Sequence, residues 1–237
     1  MIDQEQMPCS AVIFDLFGTL VDGFAAASAG YHEEFSAALG VDHELFVQHW
    51  RQITSSRTLG DFQSVEASIE HVCDQLGVSV TSDQMAKAVE IRLELTRRAL
   101  TPRSDAVPTI SQLKRAGFKI GLLSNCSIEI PILWPETEFA DLIENPIFSS
   151  RERLKKPDPR IYHLACERIG VTPENCLYIA DGENYELSAA TKVGMHPVLI
   201  RNLSRDDGKE SLREAREWEG TAVHTLSEVL SLFNNQS

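Results

Sequence analysis

The sequence predicts an α/β fold with a parallel sheet, interrupted by an inserted all-helical domain. Three observations lead there. Short apolar runs without polar alternation, the mark of strands buried on both faces, alternate with stretches whose apolar residues recur at helical spacing. Several of those runs end in a polar residue beside a turn signal, as at Asp15, Ser124-Asn125 and Asp181-Gly182. Between Asp22 and Leu100 there is no proline and almost no β-branched run, so a bundle of roughly four helices separates the first strand from the rest. A chain of 237 residues makes one large domain or two small ones. The core is expected over 1–21 and 101–237, and the helical insertion over 22–100.

Each element follows from its local chemistry. Ala11–Phe14 is a continuous apolar run ending at Asp15, and Gly18 and Thr19 punctuate it. In the insertion, Phe35, Ala38 and Leu39, then Val65, Ile69 and Val72, fall on helical faces. Thr101-Pro102-Arg103 breaks that pattern. Asp105 to Ala116 predicts a helix ended by Gly117, and Phe118 to Ser124 a second strand. Cys126 to Glu144, with Pro131, Trp134 and Pro135, predicts loop with short helix. Then come a strand over Pro146–Ser149, a helix over Asp158–Ile169, a strand over Cys176–Ala180, a helix over Glu186–Val193 and a strand over Pro197–Ile200. The tail reads as a charged helix (Asp207 to Trp218), a short strand (Ala222-Val223) and a helix (Leu226 to Phe233).

Composition narrows the function. Hydrophobic residues are 43% and charged residues 24% of the chain, as in an ordinary globular protein, and the net charge is −13. That field repels nucleic-acid backbones and anionic membrane surfaces, while a locally positive site still admits a small anionic substrate. No stretch resembles a signal peptide, and no apolar run approaches the roughly 20 residues of a membrane helix. Cys9, Cys73, Cys126, Cys166 and Cys176 are odd in number and form no CxxC pair. Free thiols in a cytoplasmic protein are therefore expected, as monomer or homodimer.

In an open parallel sheet, ligands bind beyond the carboxyl ends of the strands. Four polar signals fall there: Asp15-Leu16-Phe17-Gly18-Thr19, Ser124-Asn125, Lys156-Pro157-Asp158, and Asp181-Gly182-Glu183-Asn184-Tyr185-Glu186. Singly, each has an ordinary structural explanation as a turn or helix cap. Together, in this order and spacing, they resemble the motifs of the haloacid dehalogenase superfamily over about Ala11 to Ile200. The resemblance implies a three-layer Rossmann-like core with parallel sheet and an inserted helical cap. It also implies that Asp15 is a nucleophile forming a covalent intermediate, with Thr19, Ser124, Asn125 and Lys156 as catalytic partners. Phe17, Gly18 and Tyr162 would contact substrate. Mg²⁺ would be held by Asp15, the Phe17 carbonyl and Asp181, with Glu186 acting from behind.

One departure divides the possibilities. The phosphatase branch usually has a second Asp two residues after the nucleophile as general acid, whereas this chain has Phe17, which has no proton to give. The expected activity is Mg²⁺-dependent hydrolysis of a small phosphorylated metabolite through an aspartyl-phosphate. The alternatives are hydrolytic dehalogenation of a 2-haloacid through an Asp15 ester, or a catalytically weak binding protein. Metal-free dehalogenases carry Ser where Asp181 stands, and their early cap Arg has no match before Arg51. The phosphonoacetaldehyde hydrolase branch needs a cap Lys, and the first Lys here is Lys87. His32 is either a surface helical residue or a replacement acid. Arg51, Arg57 and Arg103 are surface ion-pair partners or anion contacts. Trp134 belongs either to the core or to the site wall.

Overall fold

The computed structural model describes residues 9–23, 31–201 and 210–233. Its centre is a six-stranded, all-parallel sheet in the order β3-β2-β1-β4-β5-β6. The strands are β1 (Ala11–Phe14), β2 (Lys119–Ser124), β3 (Pro146–Phe148), β4 (Cys176–Ala180), β5 (His196–Ile200) and β6 (Ala222–Val223). Alternate side chains enter opposite layers, since successive residues of a strand point to opposite faces. Val12, Phe14, Leu122 and Ile179 pack on one face, Ala11, Ile13, Leu123 and Tyr178 on the other, and all are buried. Both faces are covered, which is why β1 has no polar position.

Among the described residues of the insertion, five helices follow β1: α1 (Tyr31–Leu39), α2 (His43–Gln52), α3 (Thr54–Thr58), α4 (Val65–Gln75) and α5 (Ser82–Ala99). Their starts are chemically marked. Asp42 and Ser64 accept first-turn N–H groups, and Thr81 with Gln84 closes a capping box. They enclose their own core, where Phe35 meets Phe46 and Trp50 edge-on at 4.9 and 5.2 Å. Val21 and Pro102 pair where the chain leaves and rejoins the sheet domain.

The sheet domain continues with α6 (Ala106–Arg115), α7 (Glu129–Leu133), α8 (Ser149–Glu152), α9 (Pro159–Ile169), α10 (Glu186–Lys192) and α11 (Arg213–Glu217). Helix α6, with Leu226 and Val229 of the C-terminal turns, covers the Phe14 face; α9 and α10 cover the Tyr178 face. Three details differ from the sequence expectation. The third strand stops at Phe148, and Ser149 opens a helix instead. There its hydroxyl donates to the Thr58 carbonyl of the insertion at 2.6 Å and receives the Cys126 N–H at 2.9 Å. In the tail, a 3-10 turn over Glu210–Leu212 precedes the short α11, while 207–209 lie outside the described residues. The Leu226–Leu232 segment is wound as 3-10 turns.

The two bodies touch closely. A Cβ on Gly60, whose φ is +73°, would lie 1.9 Å from the Ser150 carbonyl oxygen. Only glycine fits that approach.

Candidate active site

The sheet order reverses at β1: chain order proceeds through β2 and β3 on one side and through β4, β5 and β6 on the other. The carboxyl ends of β1 and β4 therefore flank a crevice. Asp15 caps β1 there, 5% exposed, with its N–H bonded to the Ile179 carbonyl at 2.9 Å. One carboxylate oxygen accepts the Lys156 ammonium, and the other accepts the Thr19 hydroxyl at 3.0 Å. Lys156 also donates to Glu186 and to the Tyr178 hydroxyl. Tyr178 in turn donates to the same Glu186 oxygen at 2.7 Å. The other Glu186 oxygen accepts the Gly182 and Glu183 N–H groups, both at 3.2 Å. A single ammonium thus stands between two buried carboxylates.

Lys156 is held from its backbone. Its N–H donates to Asn125 Oδ1 at 2.8 Å, and its carbonyl accepts Asn125 Nδ2 at 3.0 Å. The neighbouring Ser124 hydroxyl is fully buried at the end of β2 and has no hydrogen-bond partner among the described residues. Asp158 caps α9 by accepting the Arg160 N–H.

Electrostatics follow from this geometry. Burial pushes the Asp15 carboxyl up to about 6, against the pull of Lys156 and with a further push from Glu186. For Lys156 burial acts downward, yet Asp15 and Glu186 outweigh it and keep the ammonium charged. Asp15, Asp181 and Glu186 each offer an oxygen within 4.8 Å of the others'. Three buried carboxylates so close together offer the hard-oxygen donors that a small divalent cation such as Mg²⁺ takes.

Between this centre and the insertion lies a cavity of about 370 Å³. Phe17, Asn125 and Ile130 line it from the sheet domain, and Tyr31, Trp50, Arg57 and Arg92 from the helices. The Arg57 guanidinium lies 4.1 Å over the Trp50 ring, with its side chain 10% exposed. Arg92 donates to Glu129, which stands 3.8 Å from Arg57. Arg57 Nε is buried without a hydrogen-bond partner among the described residues. Burial, with Arg92 adding, pushes Arg57 down to about 10. Burial acts upward on Glu129, but Arg92 and Arg57 pull it down to about 2. Two arginines against one carboxylate leave the roof of the cavity positive.

The structure thus joins Asp15, Thr19, Asn125, Lys156 and Glu186 directly, with Ser124 and Asp181 at adjoining strand ends. It places others differently. Tyr162 is fully buried beneath the site, with its hydroxyl on the Glu186 carbonyl at 3.1 Å and its ring edge-on to Tyr178; it is not part of the cavity wall. The Gly18 N–H, expected to face substrate, donates to the Val21 carbonyl at 2.7 Å. His32 and Arg51 line the cavity, whereas Arg103 pairs loosely with Asp105. Trp134 is core, stacked on Phe139 and edge-on to Phe148.

Tyr178, Arg92 and Glu129 escaped the sequence reading. Arg92 carried a signal, since it interrupts the stripe of Ala88, Ile91 and Leu95 on α5. Tyr178 is the one hydroxyl in the run CLYIA. Glu129 carried none.

Comparison with known proteins agrees with this geometry. The sequence profile of the haloacid dehalogenase-like hydrolases matches residues 9–194. (S)-2-haloacid dehalogenase 4A of Burkholderia cepacia is 29% identical over 199 residues, 80% of this chain and 82% of that one. Glyceraldehyde 3-phosphate phosphatase of Methanopyrus kandleri is 30% identical over 103 residues, 43% of this chain and 44% of its own. The structure of L-2-haloacid dehalogenase from Xanthobacter autotrophicus with chloropropionic acid covalently bound superposes with a TM-score of 0.63 at 21% identity, over 97% of this chain and 100% of that one. The profile match spans most of the sheet domain and the whole insertion, so the chain belongs to the haloacid dehalogenase-like hydrolase family.

Proposed function

We propose that this hydrolase removes halide from a small 2-haloacid through an ester on Asp15. The observation that carries the reading is Phe17 in the cavity wall beside the nucleophile. A halide departs as a stable anion and needs no proton, so a phenyl ring at that position costs nothing. The long-range relatives named for (S)-2-haloacids support the same choice. One sequence-level objection, the lack of a cap arginine, is answered by Arg57 and Arg92, which bring positive charge to the cavity from helices α3 and α5.

In this reading the substrate carboxylate sits toward Arg57. An Asp15 carboxylate oxygen attacks C2 from the side opposite the halogen. The C2–O bond forms as the carbon–halogen bond breaks, and the bonding pair leaves with the halide. Water then adds to the Asp15 ester carbonyl, releasing the 2-hydroxyacid and one proton and restoring the carboxylate. Lys156 holds Asp15 in place, and Glu186 with Tyr178 holds Lys156.

The Asp15, Asp181 and Glu186 cluster favours a second reading, the Mg²⁺-dependent phosphatase. When bound, Mg²⁺ would offset repulsion between Asp15 and a phosphoryl group. Asp15 and Asp181 would hold it, with Glu186 behind them, engaged by Lys156, Tyr178 and the Gly182 and Glu183 N–H groups. One experiment separates the two. Halide and inorganic phosphate release are measured over panels of short 2-haloacids and phosphorylated metabolites, with Mg²⁺ or EDTA, and with Asp15→Asn as control. Halide release that survives EDTA and vanishes in Asp15→Asn is expected. Phosphate release that needs Mg²⁺ would replace it with the second reading.

A further inference from the structure

The C-terminal segment beyond residue 194 reaches back to the reacting centre. Glu214 on α11 is 5% exposed. Its two carboxylate oxygens accept the Leu187 N–H at 2.9 Å and the Ser188 N–H at 2.7 Å. These are first-turn groups of α10, the helix that begins with Glu186. Helix α10 has no side-chain cap from its own N-cap residue, Tyr185. Its first-turn donors are therefore satisfied from outside the local chain.

The loop between Asp181 and α10 needs such support. Gly182, Asn184 and Tyr185 have φ of +79°, +55° and +61°. Asn and Gly tolerate the left-handed region, but Tyr185 does so only where its surroundings impose it. Helix α11 lies directly against this loop: a Cβ on Gly182 would meet the Ala215 backbone at 3.2 Å. Through this loop run the contacts that aim the centre. Glu186 accepts Gly182 and Glu183 N–H on one oxygen and presents the other to Lys156 and Tyr178.

We infer that Glu214 is a positioning residue: by capping α10 from the tail it holds Glu186 against Lys156, and hence Lys156 against Asp15. The inference rests on Asp15, Lys156 and Glu186 being the reacting centre. It concerns the orientation of the nucleophile, not the anchoring of substrate, which belongs to the opposite wall of the cavity. Loss of Glu214 therefore lowers kcat and spares KM.

The test compares Glu214→Ala, Glu214→Gln and, on the same helix, Glu217→Ala, whose exposed carboxylate pairs with Arg213. Two quantities are read on the full chain: kcat and KM in the release assay above, and amide exchange by NMR at Gly182 and Glu183. Those amides bond to Glu186, not to Glu214, so they report the loop rather than the deleted contact. In Glu214→Ala, kcat falls at least about tenfold with KM within about twofold, since small displacements of a nucleophile cost that much. Gly182 and Glu183 exchange at least about tenfold faster, while Val12 to Phe14 of β1 keep their protection. Glu214→Gln, with one acceptor oxygen left, falls between, and carries the comparison alone if Glu214→Ala does not fold. Glu217→Ala matches the parent. A folded Glu214→Ala with kcat within twofold of the parent overturns the inference, as does unchanged exchange at Gly182 and Glu183. If the parent releases neither halide nor phosphate, the reading of the reaction falls separately. The amides then decide the clamp by themselves, faster exchange supporting it and unchanged exchange overturning it.

Discussion

At the residue scale, the chemistry is set by how little water reaches Asp15. The carboxyl titrates near 6 in the folded protein because burial opposes its charge more than Lys156 favours it. A nucleophile must be ionised, so kcat/KM for the proposed reaction falls as pH drops through about 6 in metal-free buffer. Stability has the opposite slope. The ordinary value is 3.8, so between about 4 and about 6 the folded state binds more protons than the unfolded one. Its stability therefore falls as pH rises across that window. The penalty persists above pH 6. Asp15→Asn removes it and raises Tm, more at pH 8 than at pH 4, as calorimetry in EDTA would measure. An equal shift at both pH values would mean that the carboxylate bears no such cost. In the proposed reaction, an ionised Asp15 would thus be kept at the expense of stability, as is common at reacting centres.

At the scale of elements, Glu129 joins the helical insertion to the sheet domain through a buried triad of charges. Glu129 opens α7, and the arginines it faces sit on α3 and α5. Neutralising it strands two buried guanidinium groups. Glu129→Gln is therefore expected to cost about 3 kcal/mol in urea unfolding, the penalty of breaking a buried ion pair from one side. Its carboxyl is depressed from 4.5 to about 2 in the fold. The stabilisation is present above about pH 4.5 and lost as pH falls toward 2. A change below about 0.5 kcal/mol would show the triad to be solvated and irrelevant to the docking of the helices. The same elements explain what could be foreseen. Helices α1 and α4 were legible from apolar spacing, at Phe35, Ala38 and Leu39 and at Val65, Ile69 and Val72. The charged helix of the tail was legible as well, but not the role of α11, which depends on Glu214 meeting a helix 26 and 27 positions earlier.

At the scale of the whole molecule, the acidic balance of −13 contains one local concentration that matters for ligands. Asp15, Asp181 and Glu186 converge from β1, β4 and α10. If Asp15 and Asp181 hold Mg²⁺, the cation binds the folded state alone, so stability rises with its concentration. At about a hundred times Kd the gain is about 2.7 kcal/mol, which for a chain of this size raises Tm by roughly 5–10 °C. Thermal unfolding of the parent and of Asp181→Asn with and without Mg²⁺ checks this. An unchanged Tm in the parent removes the metal and leaves the dehalogenation reading alone.

The amino-acid sequence by itself determined the alternation of strands and helices, the helical insertion, and the strand-end group of Asp15, Thr19, Asn125, Lys156 and Glu186. Strand burial and helix periodicity are written in local patterns, and a parallel sheet carries its chemistry at strand ends that apolar runs make visible. Tertiary structure alone decided which of the scattered polar residues meet. It drew Arg57, Arg92 and Glu129 into one buried triad, turned Tyr162 into the core, closed the Gly18 N–H into a turn and set Glu214 on α10. Those contacts join residues on different elements, and a pairing made across a fold leaves no periodicity in the chain that makes it.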